Sequence, residues 1–346
     1  MLESFSTNAT IAKIRTIHGK MFTAADYKIL AEKRNIADVA AYLQKSERFH
    51  DALASIDTNT IHRGYLEELL TKSNFDMYIK LCSFQQLDSV PFYQYLVEKH
   101  EIEQILSLIS SINSSLDNEF VKNLPAHLIK TSKLDFLELS KCSSLEDLQK
   151  ALKGTKYYKV TKNLPKSPDG NIDYLKCEIQ LREFYFENLF SRIKKDFSAS
   201  DAAVLEKLIK SDIDLTNIIN AYRMKAYFKA SAEDIKSKQL PFTRIGKHYM
   251  NSFYECETAE DMIAFLQRSP YAKLAFDKNP EFIETDMQEV KYQLSRRLLI
   301  SSQSAPVVFY TFLQLCDIEV WNIIHIIEAI RYELAPSVIE KQLLVY

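Results

Sequence analysis

The sequence predicts an all-α protein, and three observations carry that prediction. Apolar residues recur at helical spacing along nearly the whole chain. Leu66, Leu69 and Leu70 share one face, as do Ile102, Ile105, Leu106 and Ile109, then Phe186, Leu189, Phe190 and Ile193, then Ile323, Ile324, Ile327 and Ile330. Strict apolar–polar alternation is scarce, and its best stretch is Tyr158 to Lys162. The 346 residues hold 5 Gly, against a usual share of about 7%. Glycine-rich nucleotide loops and turn-rich β folds both need Gly for positive φ, so both are disfavoured.

The helices can be justified in chain order. Asn35-Ile-Ala-Asp38 begins a helix running to Tyr42-Leu-Gln-Lys-Ser46. Ser144-Leu-Glu-Asp147 begins another, running to Leu152-Lys-Gly-Thr155. Thr258-Ala-Glu-Asp261 begins a third, running to Leu266-Gln-Arg-Ser269. In each, a capping side chain precedes a carboxylate three positions on. The cap accepts orphan backbone N–H groups, and the acid complements the helix dipole. An aromatic follows each copy: Phe49, Tyr157, Tyr271. The Asp spacings are 109 (147−38) and 114 (261−147). A second pattern interleaves with the first: Glu101-Ile-Glu103, Asp212-Ile-Asp214 and Asp317-Ile-Glu319, at spacings of 111 (212−101) and 105 (317−212). Each precedes an apolar run, so each reads as a helix start, with Asp317 opening the final helix. The last two continue to Asn217-Ile-Ile and Asn322-Ile-Ile; in the first, Glu103 is followed by Gln104-Ile105-Leu106, without the Asn. Two patterns with one period divide the chain into three related helical domains, residues 1–100, 101–211 and 212–346. Such units either close as a pseudo-three-fold ring or stack openly.

The main break in the pattern is residues 153–174. It holds Gly154, Pro165, Pro168 and Gly170, with Lys153, Lys156, Lys159, Lys162 and Lys166. It reads as a solvated loop without a nearby acid, or as a patch for an acidic protein or lipid surface. The segment from Ala305 to Ile330 is the most apolar. Gln314, Asp317, Glu319 and Glu328 interrupt it, so it reads as a buried helix pair and not a membrane span. The N-terminus lacks an apolar signal core.

Composition narrows the function. Hydrophobic residues make up 47% and charged residues 26%, enough for a real core. With 44 basic and 46 acidic residues the net charge is -2, so nothing draws the whole chain to nucleic acid or an anionic membrane. Cys82, Cys142, Cys177, Cys256 and Cys316 are scattered, without a CxxC pair, and read as reduced buried thiols of a cytosolic protein. His18-Gly19-Lys20 is no P-loop, because Ile14 stands at the first Gly and Met21 at the Ser/Thr. Glu47-Arg-Phe-His50 has di-iron spacing but no second such pair. His325 and Glu328 read as core or interface residues. Arg15, Arg223 and Arg331 lie near helix ends, where cations suit the dipole. No catalytic residue, cofactor or metal site is expected.

The same residues resemble a family. Asn8-Ala-Thr-Ile-Ala-Lys13-Ile-Arg15 with Gly19-Lys20-Met-Phe-Thr23-Ala-Ala-Asp26-Tyr27, and the continuation to Ser46, are similar to an N-terminal signature. It is that of the C subunit of prokaryotic V/A-type ATPases (ATP synthases), whose eukaryotic V-ATPase counterpart is the d subunit. Cys316 to Glu328 resembles that family's last core helix, and Asp214 to Lys225 its middle copy. The resemblance implies an all-α funnel of three similar domains, with pseudo-three-fold symmetry. It implies a non-catalytic central-stalk rotor part on the cytoplasmic face of the membrane. Its partners would be the central shaft subunits and the membrane proteolipid ring, with no nucleic acid and no small-molecule substrate. A shaft must grip through surfaces that stay soluble before assembly. The candidate partner-binding residues are therefore charges at helix ends: Arg15, Lys20, Arg223, Lys225 and Arg331. Two other readings compete. One is a soluble α-helical repeat adaptor that binds a partner helix, unrelated to an ATPase. The other is a helical enzyme whose site has no short motif.

Overall fold

In the computed structural model, residues 2–84, 87–114, 125–167, 170–273 and 283–344 are described. Pro168 and Asp169 of the basic segment lie outside them. In chain order the α-helices are α1 (Leu2–His18), α2 (Ala24–Ala31), α3 (Ile36–Lys45), α4 (His50–Leu53), α5 (Arg63–Phe84), α6 (Tyr95–Ser114), α7 (Ala126–Thr131), α8 (Phe136–Leu139) and α9 (Leu145–Ala151). There follow α10 (Tyr158–Thr161), α11 (Tyr174–Asp196), α12 (Ala199–Phe228), α13 (Ala232–Ser237), α14 (Lys247–Tyr254), α15 (Ala259–Leu266), α16 (Ile283–Ser301), α17 (Ala305–Arg331) and α18 (Pro336–Glu340). Among the described residues there is no strand, only an isolated bridge between Lys166 and Ile172. The all-α class read from the sequence is observed.

The caps predicted at Asn35 and Ser144 form. Asn35 Oδ1 accepts from the Asp38 N–H at 2.8 Å, and Ser144 Oγ accepts from the Asp147 N–H at 3.2 Å. Thr23 adds a reciprocal capping box with Asp26.

The chain divides into two compact units: Met1–Gln86 with Glu260–Tyr346, and Leu87–Ala259. The first unit joins both chain ends. Val320, Ile323, Ile326 and Ile327 of α17 share its core with Tyr27 and Leu30 of α2, Val39 and Leu43 of α3, and Leu66 and Leu70 of α5. Full burial of each such side chain is worth about 1.5–3 kcal/mol. In the second unit α11 packs on α6 and α12. Its buried residues include Leu181, Leu189 and Ile193, and Ile105 and Ile109 of α6 and Leu205 and Ile209 of α12 are buried as well.

Three local expectations are corrected. Ala305 to Arg331 is one 27-residue helix, not a pair. Ser304 and Pro306 start it, and its polar residues fall on positions that do not interrupt the backbone. It is long and apolar enough to cross a membrane, but 83% of its most apolar window is buried. Second, no acidic triplet starts a helix. Glu101, Asp214 and Glu319 all lie inside long helices, and all three are buried. Third, the alternating Tyr158–Thr161 stretch is a helical turn, α10. The lysine next to it is not free of acids, since Lys156 pairs with Glu98 and Glu101.

Because α17 fills the middle of the first unit's core, removing the chain after Ala305 should unfold that unit. Far-UV circular dichroism and urea titration check this. A truncated chain that keeps a cooperative transition for both units contradicts it.

Candidate functional site

Three long helices each carry a buried carboxylate, and neighbouring segments close over it. On α17, Glu319 is 2% exposed. Its Oε1 accepts from the Phe22 N–H at 2.9 Å, and its Oε2 from Arg48 Nε at 2.8 Å. The Arg48 guanidinium also donates to Ser73 Oγ at 3.2 Å and to Asn74 Oδ1 at 2.6 Å, and it lies 4.6 Å from the Phe49 ring centre. Burial pushes the Glu319 carboxyl up, while Arg48 and the Phe22 N–H pull it back. On α12, Asp214 is fully buried and accepts from the Arg244 and Ile245 N–H groups at 3.2 and 3.1 Å. On α6, Glu101 accepts from the Tyr157 hydroxyl at 2.5 Å and from Ser132 Oγ at 2.6 Å.

One turn beyond two of these acids, an amide clamps backbone as a strand partner would. Asn322 Nδ2 donates to Leu344 O at 2.9 Å, and its Oδ1 accepts from the Leu344 N–H at 3.1 Å. Asn217 does the same to Leu240, at 2.8 and 3.1 Å. A tyrosine sits beside each acid: Tyr27 by Glu319, Tyr254 by Asp214, Tyr157 by Glu101. Burial first, and then the neighbouring carboxylate, raises all three phenols. On α6 the buried acid is the first of the triplet, so the residue three on is Gln104.

These groups are engaged within the fold. A cavity of about 360 Å³ in the second unit is lined partly by Glu98, Glu101, Lys156 and Tyr157. Its carboxylates are occupied by Lys156, by Arg192 Nη2 at 2.8 Å, and by the Tyr157 and Ser132 hydroxyls. Among the described residues no cluster of three or more His, Cys, Asp or Glu could hold a metal. Glu47 pairs with Lys20, and His50 Nδ1 bonds Gln44 O at 2.8 Å. His325 lies against Trp321, ring centres 4.0 Å apart, while Glu328 pairs with Arg63 at 2.5 Å. Cys82, Cys177 and Cys316 are buried, and Cys142 and Cys256 are half-buried. Burial pushes the Cys142 thiol up to about 11 and the Cys177 thiol up to about 12, so both are poor nucleophiles at neutral pH.

The five cations singled out from the sequence separate into two kinds. Arg15 is engaged: its guanidinium donates to the Leu299, Ile300 and Ser302 carbonyls at 3.1, 2.9 and 2.7 Å. It thereby satisfies the orphan carbonyls at the end of α16. Lys20 pairs with Glu47 on an open surface, a contact worth little. Arg223, Lys225 and Arg331 lie towards the ends of α12 and α17, and Arg223 and Arg331 too have contacts within the fold. Arg223 and Arg331 are exposed and Lys225 is half-buried.

Large aromatics stand exposed at these same two helix ends. Tyr227 is 74% and Phe228 78% exposed at the end of α12, and Tyr332 is 67% exposed just past α17. Tyr227 follows Asp214 by thirteen residues (227−214), and Tyr332 follows Glu319 by thirteen (332−319). The Arg331 guanidinium lies 5.9 Å from the Tyr332 ring centre. Both helices then stop on a non-glycine residue in the left-handed region, Lys229 at φ 52° and Glu333 at φ 54°. Among the described residues these are the two non-glycine positions with positive φ. Such strain tends to gather where function holds it. The aromatics escaped the sequence reading, although Arg–x–Lys–x–Tyr–Phe and Arg–Tyr at a helix end were visible signals.

A family profile described as ATP synthase (C/AC39) subunit matches residues 10–342. The chain belongs to that family. It is a component of a rotary ATPase, as the sequence resemblance implied. Among the family's relatives, the C subunit of the A-type ATP synthase of Desulfurococcus sp. (strain SY) is 24% identical over 293 residues, covering 83% of this chain and 75% of that one. The C subunit of the Thermococcus onnurineus (strain NA1) A-type ATP synthase is 23% identical over 291 residues, covering 83% and 74%. Its counterpart in Methanosphaera stadtmanae is 23% identical over 294 residues, covering 82% and 71%.

The buried pair within this ATP synthase component makes a sharp prediction. Arg48→Met strands Glu319, and Glu319→Leu strands Arg48. Each single change should cost about 3–5 kcal/mol in urea denaturation, and the double change should recover most of that loss. Additive losses would contradict this.

Proposed function

We propose that this C/AC39-family chain is a non-catalytic rotor part of the rotary ATPase, a socket between the central shaft and the membrane proteolipid ring on the cytoplasmic face. The observation that carries the reading is the pair of helix ends that combine exposed cations, exposed aromatics and strained caps at equal distances from equivalent buried acids. Tyr and Arg are the side chains enriched where proteins grip one another. A rigid long helix anchored by a buried carboxylate is suited to passing torque from its tip to its base.

On this reading the chain is three related domains, near residues 1–100, 101–211 and 212–346, closing as a funnel. The acid–tyrosine pairs Asp214 with Tyr254 and Glu319 with Tyr27 recur at corresponding places and favour that plan. The grip is assigned to Arg223, Lys225 and Arg331 with Tyr227, Phe228 and Tyr332. Arg15 and Lys20, engaged elsewhere on the chain, play the lesser part.

Reversing Arg223 and Lys225 together to Glu should weaken co-elution with the shaft subunits at least tenfold. The wild-type interaction should itself weaken as salt rises. Thermal stability should move little, as for most surface substitutions. Shaft binding that is unchanged by the reversal, or a variant that unfolds, places the grip elsewhere.

A further inference from the structure

The second unit carries a concentration of positive charge that its fold does not require. From Asp147 to Asp169 the sequence has no acid between them and six lysines: Lys150, Lys153, Lys156, Lys159, Lys162 and Lys166. Lys156 is spent on Glu98 and Glu101, and Lys150 lies 3.9 Å from Asp147. Lys153, Lys159, Lys162 and Lys166 are exposed and make no ion pair among the described residues.

These four lysines sit on ordered backbone. Gln149 Nε2 donates to the Thr161 and Lys162 carbonyls at 3.0 and 3.1 Å. This ties the end of α10, with Lys159 and Lys162, to α9, which Lys153 follows. Lys166 is paired through its backbone with Ile172. In the first unit the same arrangement recurs without the charge. There Phe49 precedes α4 as Tyr157 precedes α10, and Gln44 Nε2 donates to the Leu53 and Ile56 carbonyls at 2.7 and 3.0 Å. That copy carries Glu47, His50 and Asp51 among its residues. The element therefore folds with mixed charge, and its lysine-only version answers some other demand.

We propose that Lys153, Lys159, Lys162 and Lys166 form a contact for an anionic membrane surface, binding phospholipid headgroups beside the embedded part of the complex. The inference rests on the socket reading, which brings one side of this chain to the membrane. The residue type selects lipid over protein. Protein interfaces enrich Arg and deplete Lys, and they centre on buried aromatic or arginine anchors. Here every cation is lysine, a compact charge on a flexible stem without the rigid fork that reads a fixed carboxylate. That suits headgroups that move laterally. The chain as a whole is slightly acidic, at -2, so attraction has to come from a local patch within a Debye length of the surface, about 8 Å at physiological salt.

The test is vesicle flotation of the full chain, with phosphatidylcholine alone and with phosphatidylcholine mixed with phosphatidylglycerol. The variants are Lys153, Lys159, Lys162 and Lys166 all→Gln and, as a control, Lys28, Lys45, Lys72 and Lys80 all→Gln. Wild type and control should float with the anionic vesicles and not with the neutral ones. Each lysine contributes roughly fivefold to partition near an anionic surface, so the patch variant should lose at least about a hundredfold. Circular dichroism verifies that it is folded. A wild type that ignores anionic vesicles, a patch variant that floats like wild type, or a control that loses as much, overturns the proposal. Co-elution with the shaft subunits is measured on the same preparations. A chain that joins the shaft but ignores the vesicles defeats the lipid contact alone, whereas one that floats but never joins the shaft defeats the socket reading.

Discussion

The architecture depends on carboxylates buried in the middle of long helices. A lone carboxylate in an apolar interior is costly, so the chain has to bring donors to it. Glu319 draws the Phe22 N–H and Arg48 from near the N-terminus onto a helix near the C-terminus. That requirement helps explain why the first compact unit is built from both ends of the chain. Asp214 imposes the same need on the segment at Arg244 and Ile245, and Glu101 imposes it on Ser132 and Tyr157. Buried ion pairs add little net stability over apolar packing. What they supply is register: one acid position accepts one partner geometry, and a slid helix would strand a charge.

Much of this was legible in the sequence. Helical periodicity and the lack of glycine indicated the class, and the caps at Asn35 and Ser144 formed as their spacing requires. The recurrence of acid–Ile–acid was visible, but its meaning was not. An acid ahead of an apolar run resembles a helix start, because capping is the commonest job of such an acid. Only the tertiary partners of Glu319 and Asp214 reveal a mid-helix anchor. The length of α17 was likewise hidden. Asp317 and Glu328 look like breaks in an apolar run, yet a helix tolerates both when each faces a partner or solvent. Exposure was the least legible property, since nothing in the sequence alone separates Tyr227 and Tyr332 from buried aromatics.

The candidate site follows from the same anchors. A helix held at its middle by a buried acid presents its end as a stiff post, and on α12 and α17 that end bears cations, aromatics and a left-handed residue that is not glycine. A chain with so few glycines terminates these two helices on Lys229 and Glu333 and accepts the strain. Arg15 shows the contrast: it is another cation at a helix end, but it closes the carbonyls of α16 and is satisfied within the fold.

On the proposed socket reading, this chain turns with the rotor, with its helix ends against the shaft. The most direct measurement is single-particle cryo-electron microscopy of the intact ATP synthase from the same source. Density for this chain is expected on the rotor axis, between shaft and proteolipid ring, with Tyr227 and Tyr332 buried against another component of the complex. Density on a peripheral stalk, or on-axis density with both aromatics facing solvent, would contradict it.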